Sequence, residues 1–494
     1  MNVCVRIFGY VLVLISILLS ICVFRALVYF GAPKDAELCT DSEQHSAIKA
    51  SDALYKRFAD AIRFKTITKA QRDYDTNELL SYHAFLEKSF PVIHSSPLVK
   101  KQIINKYSLL YLVKGNDTSL RPYMLCSHLD VVPVEREKWI VDPFSGTIKD
   151  GYLYGRGTMD VKQTLMAAME SLEFLLSKGF KPKRSFFLAF GHDEEGNGVD
   201  GAAEMSKVLQ KSLNGVELEF LLDEGSPILN GSIKGVDQLV AMVSVTEKGY
   251  VTIKLEVNGS PGHSSLAPRE TAIVTLANAL TKFHSKAFPS FLGYGVEKDM
   301  LESVAPYASF PYKLVLSNLW LFGQLVSYVL SLNPVSNSFI RTSTAVTMVN
   351  GGIKPNVLPS SAYAIINHRI HPSQSVREVI SFVKKLINDD RIAISLHEGA
   401  FEPHPVSPFT DDSFGYQVIK RSIRETFPKT AVVPGILVAS TDTKWYLSLT
   451  KSVYRFCPTI LRPNEFQMYH GHNERISLKN YLQTVNFYHH LMLN

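Results

Sequence analysis

The 494-residue chain is poor in cysteine, with 5, and in tryptophan, with 3. Cys4 and Cys22 fall in an apolar N-terminal run, and Cys39, Cys126 and Cys457 are widely scattered. Without a Cys-x-x-Cys pair, neither a thiolate zinc site nor a dense disulfide framework is supported. No Cys39–Cys457 or Cys126–Cys457 bridge is expected. Long runs of one charge are also missing: 52 Lys and Arg oppose 46 Asp and Glu, a net of +6 spread along the chain. So diffuse a balance offers nucleic acid no electrostatic grip, and no nucleic-acid partner is expected. Repeats and low-complexity tracts are absent, and at 46% hydrophobic and 20% charged the chain is neither disordered nor fibrous. At about 150 residues per domain, it has room for two or three domains.

Two long apolar runs are present. Ile7–Phe24 spans 18 residues without a charge, between Arg6 and Arg25. That is long for a signal-peptide core and just long enough to cross a bilayer, and no small-x-small cleavage site follows. Residues 1–30 are therefore read first as a signal anchor and second as a cleaved signal peptide. Either places the body in the secretory pathway, lumenal or extracellular, and attached to the membrane if the segment is uncleaved. Arg6 against Arg25 and Lys34 barely discriminates orientation. Sequons at Asn116, Asn230 and Asn258 agree with a lumenal body, although Pro261 weakens the third. The second run, Leu314–Leu332, has 19 uncharged residues. A span there would separate the candidate metal ligands across a membrane, so it is read as buried or groove-lining helices.

Ser46–Pro91 reads as helical. Residues 108–114, 123–130, 184–191 and 219–223 read as buried strands. The clearest helix covers 159–178, with apolar residues at i, i+3 and i+4 and Gly179 at its end. A further helix is expected near 202–213. Strands alternating with helices imply βαβ units on a parallel sheet. After Gly249 the texture changes: residues 250–257 alternate, and strands near 342–348, 362–370 and 392–398 accompany helices near 269–285 and 376–389. The expected fold is α/β, a central mostly parallel sheet flanked by helices, with an inserted α+β domain. A catalytic domain at 46–245 and 406–494 is thus interrupted by residues 246–405.

Five stretches combine His and acids at strand ends or helix starts, where open α/β sheets place their ligands. His128-Leu-Asp130 closes the strand YMLCSHLD; at i, i+2 both side chains leave one face, so Asp130 can hold the His128 ring while its other nitrogen binds metal. A Gly-rich turn, GRGTMD, delivers Asp160 to the long helix. Asp193, Glu194 and Glu195 end the strand RSFFLAFG, and Asp223 and Glu224 end EFLLD. His470-Gly-His472-Asn473-Glu474 lies near the C-terminus. Each motif alone is more often structural than functional. Together they form an N/O donor set that suits zinc best, with cobalt or manganese next. The surplus of ligands suggests two metals sharing a bridging carboxylate, with one acid left free as a base.

The order of these motifs, with DGYLYGRGTMD, TEKG, GHSS, HRIHP and HGHNERIS, resembles the zinc aminoacylase/carboxypeptidase S metallopeptidase family from about residue 50 to the C-terminus. The resemblance implies a zinc-exopeptidase fold whose insert is a lid or dimerisation domain, with a homodimer among its forms. It implies two Zn2+ per chain, with Asp160 bridging, His128 and Asp223 completing one site, and Glu195 and His470 the other. Asp130 would orient His128, and Glu194 would be the general base. His263, Asn356 and Arg369 would contact substrate. Val161 stands where many relatives carry a second Asp, a departure expected to be harmless. The implied activity is hydrolysis, and in reverse synthesis, of N-acyl amino acids with fatty-acyl chains; the alternative is a carboxypeptidase acting on peptides. Trp320, Leu321, Phe322, Leu325 and Val329 would line an acyl groove or pack the core of the insert.

Overall fold

The computed structural model describes residues 3–31 and 47–494, so Lys34, Cys39 and Ser46 lie outside the described residues. The first apolar run forms α1 (Val3–Phe24), continued by a π-helical turn over Arg25–Tyr29. Among the described residues, this is the one helix long and apolar enough to cross a membrane.

The body begins with α2 (Asp52–Ile62) and α3 (Thr76–Ser89), capped by the side chains of Ser51 and Asp75. Strands β1 (Val99–Ile104) and β2 (Ser108–Val113) form a hairpin. Two of its three connecting residues, Asn105 and Lys106, take positive φ (45° and 72°), which matches the twist of the flanking strands. Next come β3 (Tyr123–His128), the short ribbon of β4 (Thr147–Lys149) and β5 (Tyr152–Tyr154), α4 (Lys162–Ser177), β6 (Phe186–Gly191), α5 (Ala202–Leu213), β7 (Leu221–Leu229) and β8 (Val240–Glu247). The insert contributes β9 (Gly249–Asn258), α6 (Ala272–Ser285), α7 (Val296–Val304), α8 (Tyr312–Leu316), α9 (Leu319–Ser331), α10 (Pro334–Ile340), β10 (Ser343–Gly351), β11 (Ser361–Ile370), α11 (Val376–Ile387) and β12 (Ile392–Phe401). The chain then returns through α12 (Phe414–Thr426), β13 (Ala431–Leu437), β14 (Val453–Leu461), β15 (Arg475–Ser477) and α13 (Leu478–Leu493).

Eight strands form the main sheet in the order β13-β8-β14-β7-β3-β6-β2-β1. The sheet is mixed. Its four central strands, β14, β7, β3 and β6, are mutually parallel because α4 and α5 supply crossovers. The β1–β2 hairpin and the β2–β6 and β8–β14 pairs are antiparallel. Side chains alternate between two cores. Leu125 and Leu188 face α4 and α13, whereas Met124, Cys126 and Phe187 face α5, as the two-residue strand period requires. Cys126 and Cys457 are both buried free thiols.

Segment 246–405 divides into two parts. An antiparallel sheet, β10-β11-β9-β12, carries α6 and α11 on one face. Val251, Ile253, Leu255 and Val257 alternate into that core against Leu276, Val379 and Val383. Helices α7–α10 instead lie toward the β13 edge of the catalytic sheet, where Val304 and Ala308 pack with Met242, Ala431 and Val433. The second apolar run is α8 and α9, 5 and 13 residues long, broken at Ser317–Asn318 and too short to span a bilayer.

The two chain crossings between domains are tied by a buried network. The Arg455 guanidinium donates through Nε to Glu247 Oε2 at 3.0 Å, and Thr441 Oγ1 donates to the same oxygen at 2.8 Å. His404, on the returning segment after β12, donates its backbone N–H to the Glu247 carbonyl and pairs through Nδ1 with Arg455 Nη2 at 2.6 Å. Removing one partner leaves a buried charge unpaired. Glu247→Ala is expected to cost about 3–5 kcal/mol in urea unfolding; a loss below about 1 kcal/mol would show that the pair behaves as a surface bridge.

Candidate metal centre

The site forms where the parallel strands end. β3 is buried along its length and stops at His128, itself 1% exposed. The His128 Nδ1–H donates to the Asp130 carbonyl oxygen at 2.9 Å and lies 3.3 Å from Asp130 Oδ1. With that nitrogen engaged, Nε2 points inward, 3.3 Å from Asp160 Oδ1 and 3.5 Å from Glu224 Oε1. Asp130 also reaches the neighbouring strand end. Its Oδ1 accepts from the Glu194 N–H at 3.1 Å and its Oδ2 from the Glu195 N–H at 3.2 Å. One fully buried aspartate therefore sets the pose of a histidine through its carbonyl and of the turn carrying two acids through its carboxylate.

Asp160 sits between two histidines. Its Oδ1 faces His128, and its Oδ2 lies 3.0 Å from His470 Nε2. Glu195 Oε2 approaches the same His470 nitrogen at 3.3 Å. Asp160 and His470 are brought together by Glu474. Its Oε1 accepts from the backbone N–H groups of Gly157 (3.1 Å), Met159 (2.6 Å) and Asp160 (3.2 Å). Its Oε2 accepts from Arg156 Nη1 at 2.7 Å, and Arg156 Nη2 donates to the Gly471 carbonyl at 2.9 Å. The loop carrying His470 is thus bolted to the turn carrying Asp160. The positive φ of Gly157 (94°) belongs to that turn.

From β7, Glu224 brings its Oε1 to 3.5 Å from His128 Nε2, and Asp223 stands beside it with Oδ2 buried and unpartnered. Asp223 Oδ1 accepts the Glu224 N–H at 2.9 Å, and His128 and then Arg455 act on its charge. Glu224 reaches the site through a bulge. Asp223 pairs with Arg455 and Ser226 with Phe456, so Glu224 and Gly225 bulge out of the ladder and Glu224 is re-aimed. A Cβ at Gly225 would fall 2.5 Å from Arg455 Cβ, so this position needs glycine. Three of the residues expected to bind substrate, His263, Asn356 and Arg369, lie on the insert. The Ser264 N–H donates to the Asn356 carbonyl at 3.1 Å, which sets exposed His263 beside exposed Asn356. Arg369 lies over the Tyr250 ring. Among the described residues, no hydrogen bond or ion pair joins these three to the cluster.

The electrostatics call for a cation. Burial, then Glu224, raises the Glu194 carboxyl well above its ordinary range. Burial and Asp160 raise Glu195, and burial lifts Asp223 to about 6 and Glu224 to about 8. Burial alone would depress His128, but Glu224, Asp130 and Asp160 outweigh it and raise it. Contacts with Asp160 and Glu195 lift His470 to about 10. Asp160 is held low despite burial, because both histidines bond to it. Glu195 Oε1 and Asp223 Oδ2 are buried without a hydrogen-bond partner, an arrangement that costs free energy unless an ion completes it. His128 and Asp160 with Glu195, and His128 with Glu194 and Glu224, form two groups able to hold a metal. Burial also keeps the nearby Cys457 a thiol, so the donors are nitrogen and oxygen.

The profile of peptidase family M20/M25/M40 matches residues 124–494. The chain belongs to this family. An M20 relative from Mus musculus, "N-fatty-acyl-amino acid synthase/hydrolase PM20D1", is 45% identical over 436 residues, 88% of this chain and 86% of the relative. "Probable carboxypeptidase S-like 2" of Dictyostelium discoideum is 42% identical over 487 residues, 97% of this chain and 92% of the relative. The solved M20 metallo-carboxypeptidase Sso-CP2 of Sulfolobus solfataricus superposes with a TM-score of 0.65 at 18% identity, covering 90% of this chain and 99% of that one. The fold is therefore that of M20 metallo-exopeptidases, and the protein is a zinc-dependent hydrolase of amide bonds.

Two members of the site stand outside the sequence expectation. Glu224 adjoins the expected Asp223, and the bulge brings its carboxylate to His128 as well. Glu474 was visible as the acid of HGHNE, but its hydrogen bonds to residues 157–160 are not. If Glu224 is the ligand, Glu224→Gln will weaken zinc binding more than Asp223→Asn. The Asp223 change is expected to cost about 10–100-fold, as for a residue that orients a ligand. Competition with a chelator of known affinity measures both, and the reverse order would make Asp223 the ligand.

Proposed function

We propose that the protein is a di-zinc amidohydrolase that cleaves N-fatty-acyl amino acids and, when a fatty acid and an amino acid are both abundant, joins them. The observation that carries the two-metal reading is Asp160, whose two carboxylate oxygens face different histidines. His128, Asp160 and Glu224, with Asp223 behind Glu224, would hold one zinc; Asp160, Glu195 and His470 would hold the other. Zinc bound there supplies a Lewis acid for the amide carbonyl and makes water more acidic. The N-fatty-acyl substrate class is supported by the likeness to the mouse synthase/hydrolase across most of both chains.

The chain's own residues divide the remaining work. Glu194, whose backbone is fixed by Asp130 and whose carboxyl burial pushes up, takes the proton from the attacking water and returns it to the leaving amine nitrogen. His263 donates to the developing oxyanion from the insert. Arg369 grips the amino-acid carboxylate in a two-pronged contact that lysine cannot reproduce, with Asn356 beside it. Because His263 and Asn356 are exposed on the insert, either the lid closes over substrate or a second copy presents them. The homodimer reading is supported by the same sheet, where β10 is an edge strand exposing Val346, Met348 and Val349. Helix α1 would serve as an uncleaved anchor, with the body lumenal or extracellular.

A carboxypeptidase reading rests on the Dictyostelium relative, which matches 97% of this chain. Turnover of N-oleoyl-phenylalanine against a dipeptide separates the two. The proposal expects the acyl amino acid to be preferred and Glu194→Gln to lower its turnover by about 10²–10⁴-fold, with zinc stoichiometry unchanged. Preference for the dipeptide would favour the carboxypeptidase, and full activity in Glu194→Gln would remove Glu194 as the base.

A further inference from the structure

Helix α9 keeps a polar face in Gln324, Ser327 and Ser331, yet beside it exposes a row of large apolar side chains to solvent. Its inner stripe is Leu319 and Val326, both buried, with half-buried Phe322 and Leu330. The outer stripe is Trp320, Leu321, Leu325, Tyr328, Val329 and Leu332. Trp320 is 57%, Leu325 56% and Leu332 67% exposed. These side chains therefore neither fill the core of the insert nor line an enclosed groove. No charged residue lies between Lys313 and Arg341. A contiguous exposed apolar patch of this kind marks a surface that meets something other than water.

What it meets is indicated by α1. The C-terminal end of that helix packs against the α8–α9 junction, burying Cys22 and Ala26. Asn318, fully buried, donates through Nδ2 to the Cys22 carbonyl at 3.0 Å. Arg25 Nε donates to the Ser317 carbonyl at 3.2 Å, and Lys313 Nζ to the Gly31 carbonyl at 3.0 Å. The rest of α1 stands free of the body, with 6% of its apolar window buried. Where α1 meets the body, cations and aromatic rings gather: Arg25 lies over Tyr29 and Phe30, at 5.5 and 5.7 Å from the ring centroids, with Lys313 beside them. Trp and Tyr rings near cations are the side chains that settle at the headgroup level of a bilayer.

We propose that the α8–α9 pair, chiefly the outer face of α9, is an interfacial membrane contact, seated on the same bilayer that α1 enters. The outer face of α9 lies among the headgroups and upper acyl chains, while Lys313 and Arg25 stay at the phosphate level. Lipid is the occupant because the patch is continuous with the helix that enters lipid. It carries no charges with which to fix a protein partner, and its rim has the aromatic and cationic pattern of a membrane interface. The body is then held flat on the membrane by two contacts, close to the phase into which a fatty-acyl amino acid partitions. This rests on the reading of α1 as an uncleaved anchor.

The test uses the full chain reconstituted in phosphatidylcholine vesicles, with or without bromine on the acyl chains. Of the three tryptophans, Trp139 is buried and Trp445 half-buried with its Nε1–H donated to Asn197, so Trp320 is the one aimed outward. The expected result is co-flotation with vesicles and bromine quenching of a blue-shifted emission component that Trp320→Phe removes. Co-flotation without quenching overturns the α8–α9 contact and leaves the anchor standing. Quenching that persists in Trp320→Phe also overturns it, as does a Trp320 shielded by a second copy. Failure to float overturns the anchor and the α8–α9 contact together.

Discussion

The structure depends on a concentration of buried negative charge. Asp130, Asp160, Glu194, Glu195, Asp223 and Glu224 converge on two histidines. Water is largely excluded, so burial drives most of these carboxyls toward their protonated forms. A fold that assembles such a cluster needs compensation, and protons supply it poorly at neutral pH. Divalent cations supply it well, and the unpartnered oxygens of Glu195 and Asp223 mark where compensation is missing. The near-neutral charge of the whole chain hides this local imbalance.

Precision comes from residues that touch no metal. Asp130 spends its oxygens on two backbone N–H groups of the Glu194–Glu195 turn, and its carbonyl on His128. Glu474 spends one oxygen on three backbone N–H groups around Asp160 and the other on Arg156, which holds the His470 loop. Four chain segments, distant in sequence, are thereby locked at one sheet edge. The Glu247–Arg455 network does a similar task where the insert departs and returns. Parallel strands make this economical, because their carboxyl ends all open on one side.

Much of this was legible in the sequence. The apolar runs read as strands at 108–114 and 184–191 contain β2 and β6 to within two residues at each end, and residues 202–213 form α5 as periodicity implied. The HxD spacing placed Asp130 on His128 because a two-residue period is enforced by backbone geometry. Other features were hidden because they depend on long-range pairing. The bulge that turns Glu224 inward arises from the register of β7 against β14, more than 220 residues later. Helix α4 starts at Lys162, not Met159, because Gly157, Met159 and Asp160 give their N–H groups to Glu474. Nor could the uncharged stretch from 314 to 332 reveal that it breaks at Asn318 and packs on Leu292, Met300 and Leu301 within the insert. Its hydrophobicity was plain, but which face stays exposed is decided by what packs beneath it.

The most direct test of the buried-charge account is the urea stability of the protein from pH 5 to pH 8, with zinc and after chelation. Carboxyls whose pKa is raised by folding stabilise the metal-free fold below their ordinary values, near 4. They lose that contribution as pH rises through the folded values, to about 6 for Asp223 and about 8 for Glu224. Raised His128 and His470 act in the same sense, and the lowered Asp160 titrates below this window. The account predicts that metal-free stability falls steadily across the range and that zinc abolishes the fall. A metal-free protein whose stability stays level or rises toward pH 8, or one that zinc stabilises equally at both ends, would contradict it.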